Sequence, residues 1–208
     1  MSSTLLSAGY VAAPLMIVSA IAPIVLPAYA IVDKVQRQVS VALNPSVSVF
    51  QGWVPQATGA GLSSRILKAL GLSAAFSAAL GVSMYVIAPY LVSWLGGSQI
   101  HPSNLTLALM AAFVALNLFE SVVAKAILTT IDRVNVVATA TLFGAIVGLP
   151  LVAFGAVLFG AAGAIGGIVV GLATRLAVEL IVLSRFLRHA SDGVVLHVID
   201  EEQQREYL

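Results

Sequence analysis

Long runs of Ala, Val, Leu, Ile and Gly recur along this chain, and one membrane-length stretch between them is filled with polar residues. That contrast predicts the elements. Leu5 to Leu26 is uncharged and apolar, with Pro14 and Pro23 inside it. Ala28 to Gln56 is the polar stretch: Asp33, Lys34, Gln36, Arg37 and Gln38 crowd its start, and Asn44, Ser46, Ser48 and Gln51 follow. Apolar runs then return at about 66–95, 105–130, 136–158 and 162–186. Hydropathy alone extends the first run through Val32, but a tight turn at Pro27 explains the change of character better. Pro45 is expected to kink the second helix, because proline removes one backbone hydrogen bond and crowds the preceding turn.

The breaks are as informative as the runs. Thr58-Gly59-Ala60-Gly61-Leu62-Ser63-Ser64 reads as a loop, and Gly96 to Pro102 as a turn after the interfacial aromatics Tyr90 and Trp94. Ser103 or Asn104 is placed to cap the fourth helix. Asp132-Arg133-Val134-Asn135 is a short polar loop, and only Gly160-Ala161-Ala162-Gly163 separates the last two runs. Residues from Arg188 onward form a soluble tail with an acidic end. The reading is an all-α polytopic membrane protein, with six spans in 1–187 and a tail at 188–208. Repeated apolar runs of about 20 residues suit membrane helices rather than the alternating strands of a barrel.

Composition agrees. Of 208 residues, 60% are hydrophobic and 9% charged, where a soluble domain carries about 25% charge. The absence of cysteine excludes disulfides and thiolate chemistry. The net charge of +1 excludes a basic nucleic-acid footprint. Ala28-Tyr29-Ala30 looks like a signal cleavage site, but MSST holds no Lys or Arg and the apolar run exceeds the roughly 7–15 residues of a signal core. A retained span is therefore expected, with cleavage the lesser alternative. Arg65, Lys68, Arg133, Arg185 and Arg188 fall on one side of a six-span topology, and the positive-inside bias then puts both termini in the cytoplasm. Lys34 and Arg37 break that rule, and both lie on the polar helix.

Candidate chemistry lies in the spans. A polar group facing lipid is costly, so these residues are expected to face protein or a wet cavity. Asp33 and Arg37 are four residues apart and able to pair. With Lys34 they form either an interfacial cluster of snorkelling cations or a cationic site for a phosphate-bearing substrate. Arg175 and Glu179 lie one turn apart in the sixth span, either as a functional site or as a pair that neutralises itself. Asn117 and Glu120 share a face of the fourth span, while Lys125 is expected to point elsewhere; Glu120 carries a coupling proton or cation, or only bonds a neighbouring helix. Gly144-x3-Gly148 and Gly163-x3-Gly167-x3-Gly171 are ridges for close helix packing. His101, His189 and His197 are too scattered for a metal site, and no P-loop, GxSxG or HExxH pattern occurs. No enzyme, metal or cofactor is expected.

The run Ala28-Tyr29-Ala30-Ile31-Val32-Asp33-Lys34-Val35-Gln36-Arg37-Gln38, with Gln51-Gly52-Trp53-Val54-Pro55-Gln56-Ala57 after it, resembles polysaccharide flippases of the multidrug/oligosaccharidyl-lipid/polysaccharide exporter superfamily. Phe143 to Pro150 and Gly160 to Ala164 resemble that family's eleventh and twelfth spans. The likeness covers about residues 5 to 187 and matches the second six-helix lobe alone. It implies flipping of an undecaprenyl-pyrophosphate-linked glycan across the bacterial inner membrane for polysaccharide (lipopolysaccharide) biosynthesis, driven by an ion gradient. Lys34 and Arg37 would meet the pyrophosphate, with Arg175 deeper; Asp33, Glu120 and Glu179 are the ion-coupling candidates. The partners implied are a missing first lobe or a second copy of the chain. A non-transporting scaffold subunit, or an inactive truncated fragment, is the alternative.

Overall fold

A computed structural model describes residues 13–57, 60–96 and 103–206. The first half of the first predicted span, residues 58–59 and most of the turn containing His101 lie outside the described residues, as do the side chains beyond Arg188. The described residues are helical with no strand. Helix α1 occupies 13–21; α2 is Leu26–Trp53, extended by a 3₁₀ turn Val54–Gln56; α3 is Ala60–Gly96; α4 is Asn104–Val122, continued by a π-helical turn Val123–Leu128. One further helix, Val134–Glu206, is broken at Gly160 (φ 62°, ψ −141°) into α5 (134–159) and α6 (161–206).

The breaks have local causes. The chain leaves the first helix at residue 22 and turns at 23–25, so the break expected at Pro27 falls four residues earlier, at Pro23. Pro27 instead sits in the first turn of α2, where its missing N–H costs nothing. Helix α2 runs through Pro45 as one continuous element. Helix α3 starts at Ala60, earlier than the expected Ile66, and Arg65 ties it to the end of α2: its guanidinium donates to the Trp53 carbonyl at 2.9 Å and lies over the Trp53 ring. Ser103 caps α4 as its position predicted, accepting from the Thr106 amide at 3.2 Å. Between the π turn and α5, Asp132 adopts φ 55°, a left-handed conformation that Asp tolerates better than most residues. Helix α6 continues as backbone helix through the acidic tail to Glu206.

Among the described residues, three stretches are long and apolar enough to cross a membrane: Gly61–Trp94, Asn104–Leu128 and Val134–Arg188, the last being the stretch that Gly160 divides. This is a helical protein with membrane-type elements. Helix α2 has the length but its polar content keeps it out of that set.

Its place in the fold differs from the expectation that apolar helices surround it. The central element is α4, whose apolar window is 56% buried against 17% for α3 and 22% for the α5–α6 stretch. Met110, Ala111, Val114, Leu118 and Val122 form one buried face of α4, and α2, α3 and the α5–α6 pair all pack on this helix. Two apolar clusters result. One joins Val18, Tyr29, Val32, Met84, Met110, Val152 and Ile165; the other joins Phe50, Val54, Ile66, Leu118, Ile127, Leu176 and Leu183.

Helices α5 and α6 form a hairpin folded at Gly160 and sealed by glycines. A Cβ on Gly171 would stand 2.8 Å from the Gly144 carbonyl oxygen and 2.9 Å from the Gly148 Cα, while Gly155 and Gly163 meet backbone to backbone. The predicted ridges thus pack against each other, as close approach in an apolar medium requires.

Candidate functional site

A cavity of about 1060 Å³ lies among α2, α4, α5 and α6. Its α2 wall follows from spacing: Asp33, Arg37, Ser40 and Asn44 recur at four- and three-residue steps, so at about 100° per residue they form one polar stripe. Gln36 stands on the same wall. Helix α4 contributes Phe113, Asn117 and Ser121, and the π turn contributes Lys125. Helices α5 and α6 supply an apolar wall that includes Val137, Leu149, Ile168 and Leu172, with Arg175 at its edge. The arrangement is polar on two helices and apolar on two, a chamber suited to an amphiphile.

The polar groups are organised in three sets. Arg37 Nε donates to Asp33 Oδ2 at 2.7 Å within α2. Asn117 Nδ2 donates to Ser40 Oγ at 3.1 Å and so joins α2 to α4 across the cavity wall. Arg175 is gripped from two helices: its Nε donates to Glu179 Oε1 at 3.2 Å, and its Nη2 pairs with Glu120 Oε1 on α4. Glu120 and Glu179 are both buried, so two carboxylates in the apolar bundle hold one guanidinium, whose edge faces the cavity.

Five of the six predicted site residues therefore belong to two ionic clusters, which spacing foretold only in part. Asp33 and Arg37 pair as their spacing required. Arg175 and Glu179 pair too, and Glu120 joins them from another helix, which no spacing within one helix could reveal. Arg37, Asp33 and Arg175 line the cavity, with Glu120 and Glu179 behind Arg175. Lys34 is exposed and lies outside the lining. One residue on from Asp33, it is turned about 100° off the stripe.

Lys125 departs from its expected placement, since it shares the cavity with Asn117 and Arg175. Its position follows from spacing: Phe113, Asn117, Ser121 and Lys125 recur at four-residue steps, so the π turn Val123–Leu128 continues the cavity-facing side of α4. Side chains satisfy the Lys125 carbonyl there: Thr129 Oγ1 donates to it at 2.5 Å and Gln51 Nε2 at 3.4 Å. Gln36 and Ser40 were also missed as site residues, although their three-residue spacing from Asp33 and Arg37 respectively carried the signal. Among the described residues no group of His, Cys, Asp and Glu is arranged to hold a metal ion.

Comparison with family models, with curated proteins and with solved structures finds no match for this chain.

Proposed function

We propose that this chain is one lobe of a membrane flippase that moves a phosphate-bearing, lipid-linked glycan, of the undecaprenyl-pyrophosphate type, across the bacterial inner membrane. The observation that carries the reading is the cavity: Arg37, Lys125 and Arg175 stand on its lining inside a bundle built from apolar helices. Cations at membrane depth are costly and mark substrate or ion paths. An apolar wall facing cationic groups matches a molecule with an acyl-like chain and an anionic head.

The size of the chamber supports a half rather than a whole transporter. About 1060 Å³ is at the upper end for a single drug-sized ligand. It holds a phosphate group and the sugars next to it, and a longer glycan must extend beyond these walls. A second lobe, or a second copy of this chain, supplies the facing surface in this reading. Six spans place a copy in the same orientation, so two lobes can face each other about an axis along the membrane normal, a known transporter arrangement.

The test is complementation of a flippase-deficient strain by this chain alone and with a separately expressed six-span first lobe, alongside its mass in nanodiscs. Activity is expected only from a paired assembly. Arg37→Gln should abolish it at unchanged membrane levels, and Arg37→Lys should restore it in part because the bidentate fork is lost. Normal complementation by Arg37→Gln removes the cationic-site reading, and full activity from a monomer removes the half-transporter reading.

Orientation is tested separately. With six spans and both termini cytoplasmic, single cysteines at Ser64 and Ser98 should be labelled by an impermeant thiol reagent from opposite sides of the membrane. Labelling of both from one side overturns the six-span topology.

A further inference from the structure

Many hydroxyls inside these helices are spent on their own backbone. Ser48, Ser73, Ser83, Ser93 and Ser184 each donate to a carbonyl three or four residues earlier, at 2.8–3.2 Å. Thr141 does the same to the Val137 carbonyl at 2.7 Å, so the hydroxyl on the α5 wall of the cavity is already engaged. The two serines that line the cavity behave differently. Ser40 Oγ accepts from Asn117 Nδ2 at 3.1 Å and donates to no group among the described residues, and Ser121 makes no side-chain hydrogen bond among them. The Asn44 amide, on the same lining, makes none either, and Asn117 keeps its Oδ1 and one N–H.

These four residues lie close together. Helices α2 and α4 run parallel, since Ser40 meets Asn117 and Gln51 reaches the Lys125 carbonyl further along both. One turn on from the Ser40–Asn117 contact, that register sets Asn44 beside Ser121, about 6 Å along the axes at 1.5 Å per residue. The patch thus has the dimensions of one sugar ring. It is also neutral, because Asp33 and Arg37, just before it on the α2 stripe, bind each other at 2.7 Å.

Its chemistry is selective. Serine hydroxyls and asparagine amides both donate and accept. A phosphate group offers acceptors alone and a hydrocarbon chain offers neither, whereas a ligand hydroxyl does both. Polar groups left unengaged in an apolar bundle are costly, so their partners come from outside the chain. We infer that Ser40, Asn44, Asn117 and Ser121 form a subsite between α2 and α4 for the hydroxyls of an uncharged polyol head group, a sugar in the flippase reading. The inference deepens that reading and rests on it for the attachment of the sugar to a lipid pyrophosphate, but not for the hydroxyl chemistry.

The experiment is native mass spectrometry of the full chain released from nanodiscs. The probes are undecaprenol, undecaprenyl pyrophosphate, the same pyrophosphate carrying one glucose, phosphatidylglycerol and phosphatidic acid. The parent chain should retain the glucose-bearing probe about tenfold over the bare pyrophosphate. Asn44→Leu and Ser121→Ala should each lower that preference about fivefold, the size of one lost hydrogen bond, with the bare pyrophosphate held as before. Neither side chain bonds to the rest of the chain, so thermal stability should not fall. Thr141→Val, across the cavity, should keep the preference, and an equal loss there overturns the assignment to α2 and α4. Equal retention of the two pyrophosphates, both above undecaprenol, with no preference between the two glycerolipids, overturns the subsite and leaves the transporter reading intact. If neither pyrophosphate exceeds undecaprenol, the flippase reading fails. The subsite then stands only on a preference for phosphatidylglycerol over phosphatidic acid that Asn44→Leu abolishes, which would make a glycerol head group the source of the hydroxyls; without that preference it falls too.

Discussion

Arg175→Gln will destabilise the folded chain by about 3–5 kcal/mol, because it leaves Glu120 and Glu179 facing each other in the bundle without their shared counter-charge. Both carboxylates are buried, on α4 and α6, so the loss falls on the contact that joins the central helix to the end of the hairpin. Glu120→Gln should cost much less. It leaves Arg175 paired with Glu179 at 3.2 Å and removes the excess carboxylate of the cluster. Replacing all three together (Arg175→Met, Glu120→Gln, Glu179→Gln) should recover most of the stability, since exchanging a whole buried ionic group for neutral residues is often neutral or better. The measurement is unfolding in mild detergent by titration with a denaturing detergent, followed by far-UV circular dichroism. If Arg175→Gln unfolds like the parent chain, the cluster does not hold α4 to α6.

The glycine seam should be equally intolerant. Gly171→Ala places a methyl 2.8 Å from the Gly144 carbonyl oxygen and 2.9 Å from the Gly148 Cα. Gly163→Ala places one against the Gly155 backbone, 2.8 Å from its Cα. The obstructing atoms are backbone, which cannot step aside as a flexible side-chain end would. Separating α5 from α6 is the only relief, and overpacking of this kind costs about 1–3 kcal/mol per site. Gly71→Ala, where a Cβ meets nothing within 4 Å, should be neutral or slightly stabilising, as expected for alanine in a helix. The same unfolding assay separates the two classes, and equal behaviour of Gly171→Ala and Gly71→Ala would show that the hairpin is not sealed as described.

Much of the architecture was legible without coordinates, for reasons that act within a single helix. The Asp33–Arg37 pair follows from four-residue spacing, which sets two side chains about 40° apart on adjacent turns. Ser103 as a cap follows from a hydroxyl just before an apolar run. The seam follows from glycines at four-residue intervals on two consecutive apolar runs. Lys34 was grouped with Arg37 by nearness in sequence, and helical geometry places it off the stripe. The polar stripe Asp33, Arg37, Ser40, Asn44 is written in the sequence as periodicity, at four- and three-residue steps.

Taken alone, then, the sequence determined an all-helical chain with membrane-type spans, the faces of each helix, the hairpin at Gly160 and the polar character of α2. Each of these depends on hydrophobicity and on the fixed rotation per residue, which local bonds impose whatever the neighbours are. The tertiary structure decided which helix occupies the centre, that Glu120 reaches across to Arg175, and that the Gln36 Nε2 is buried without a partner. Those outcomes depend on the packing of helices distant in sequence. Three neighbours close on α4, and Gln51 of α2 reaches from 74 residues away to the Lys125 carbonyl in the π turn.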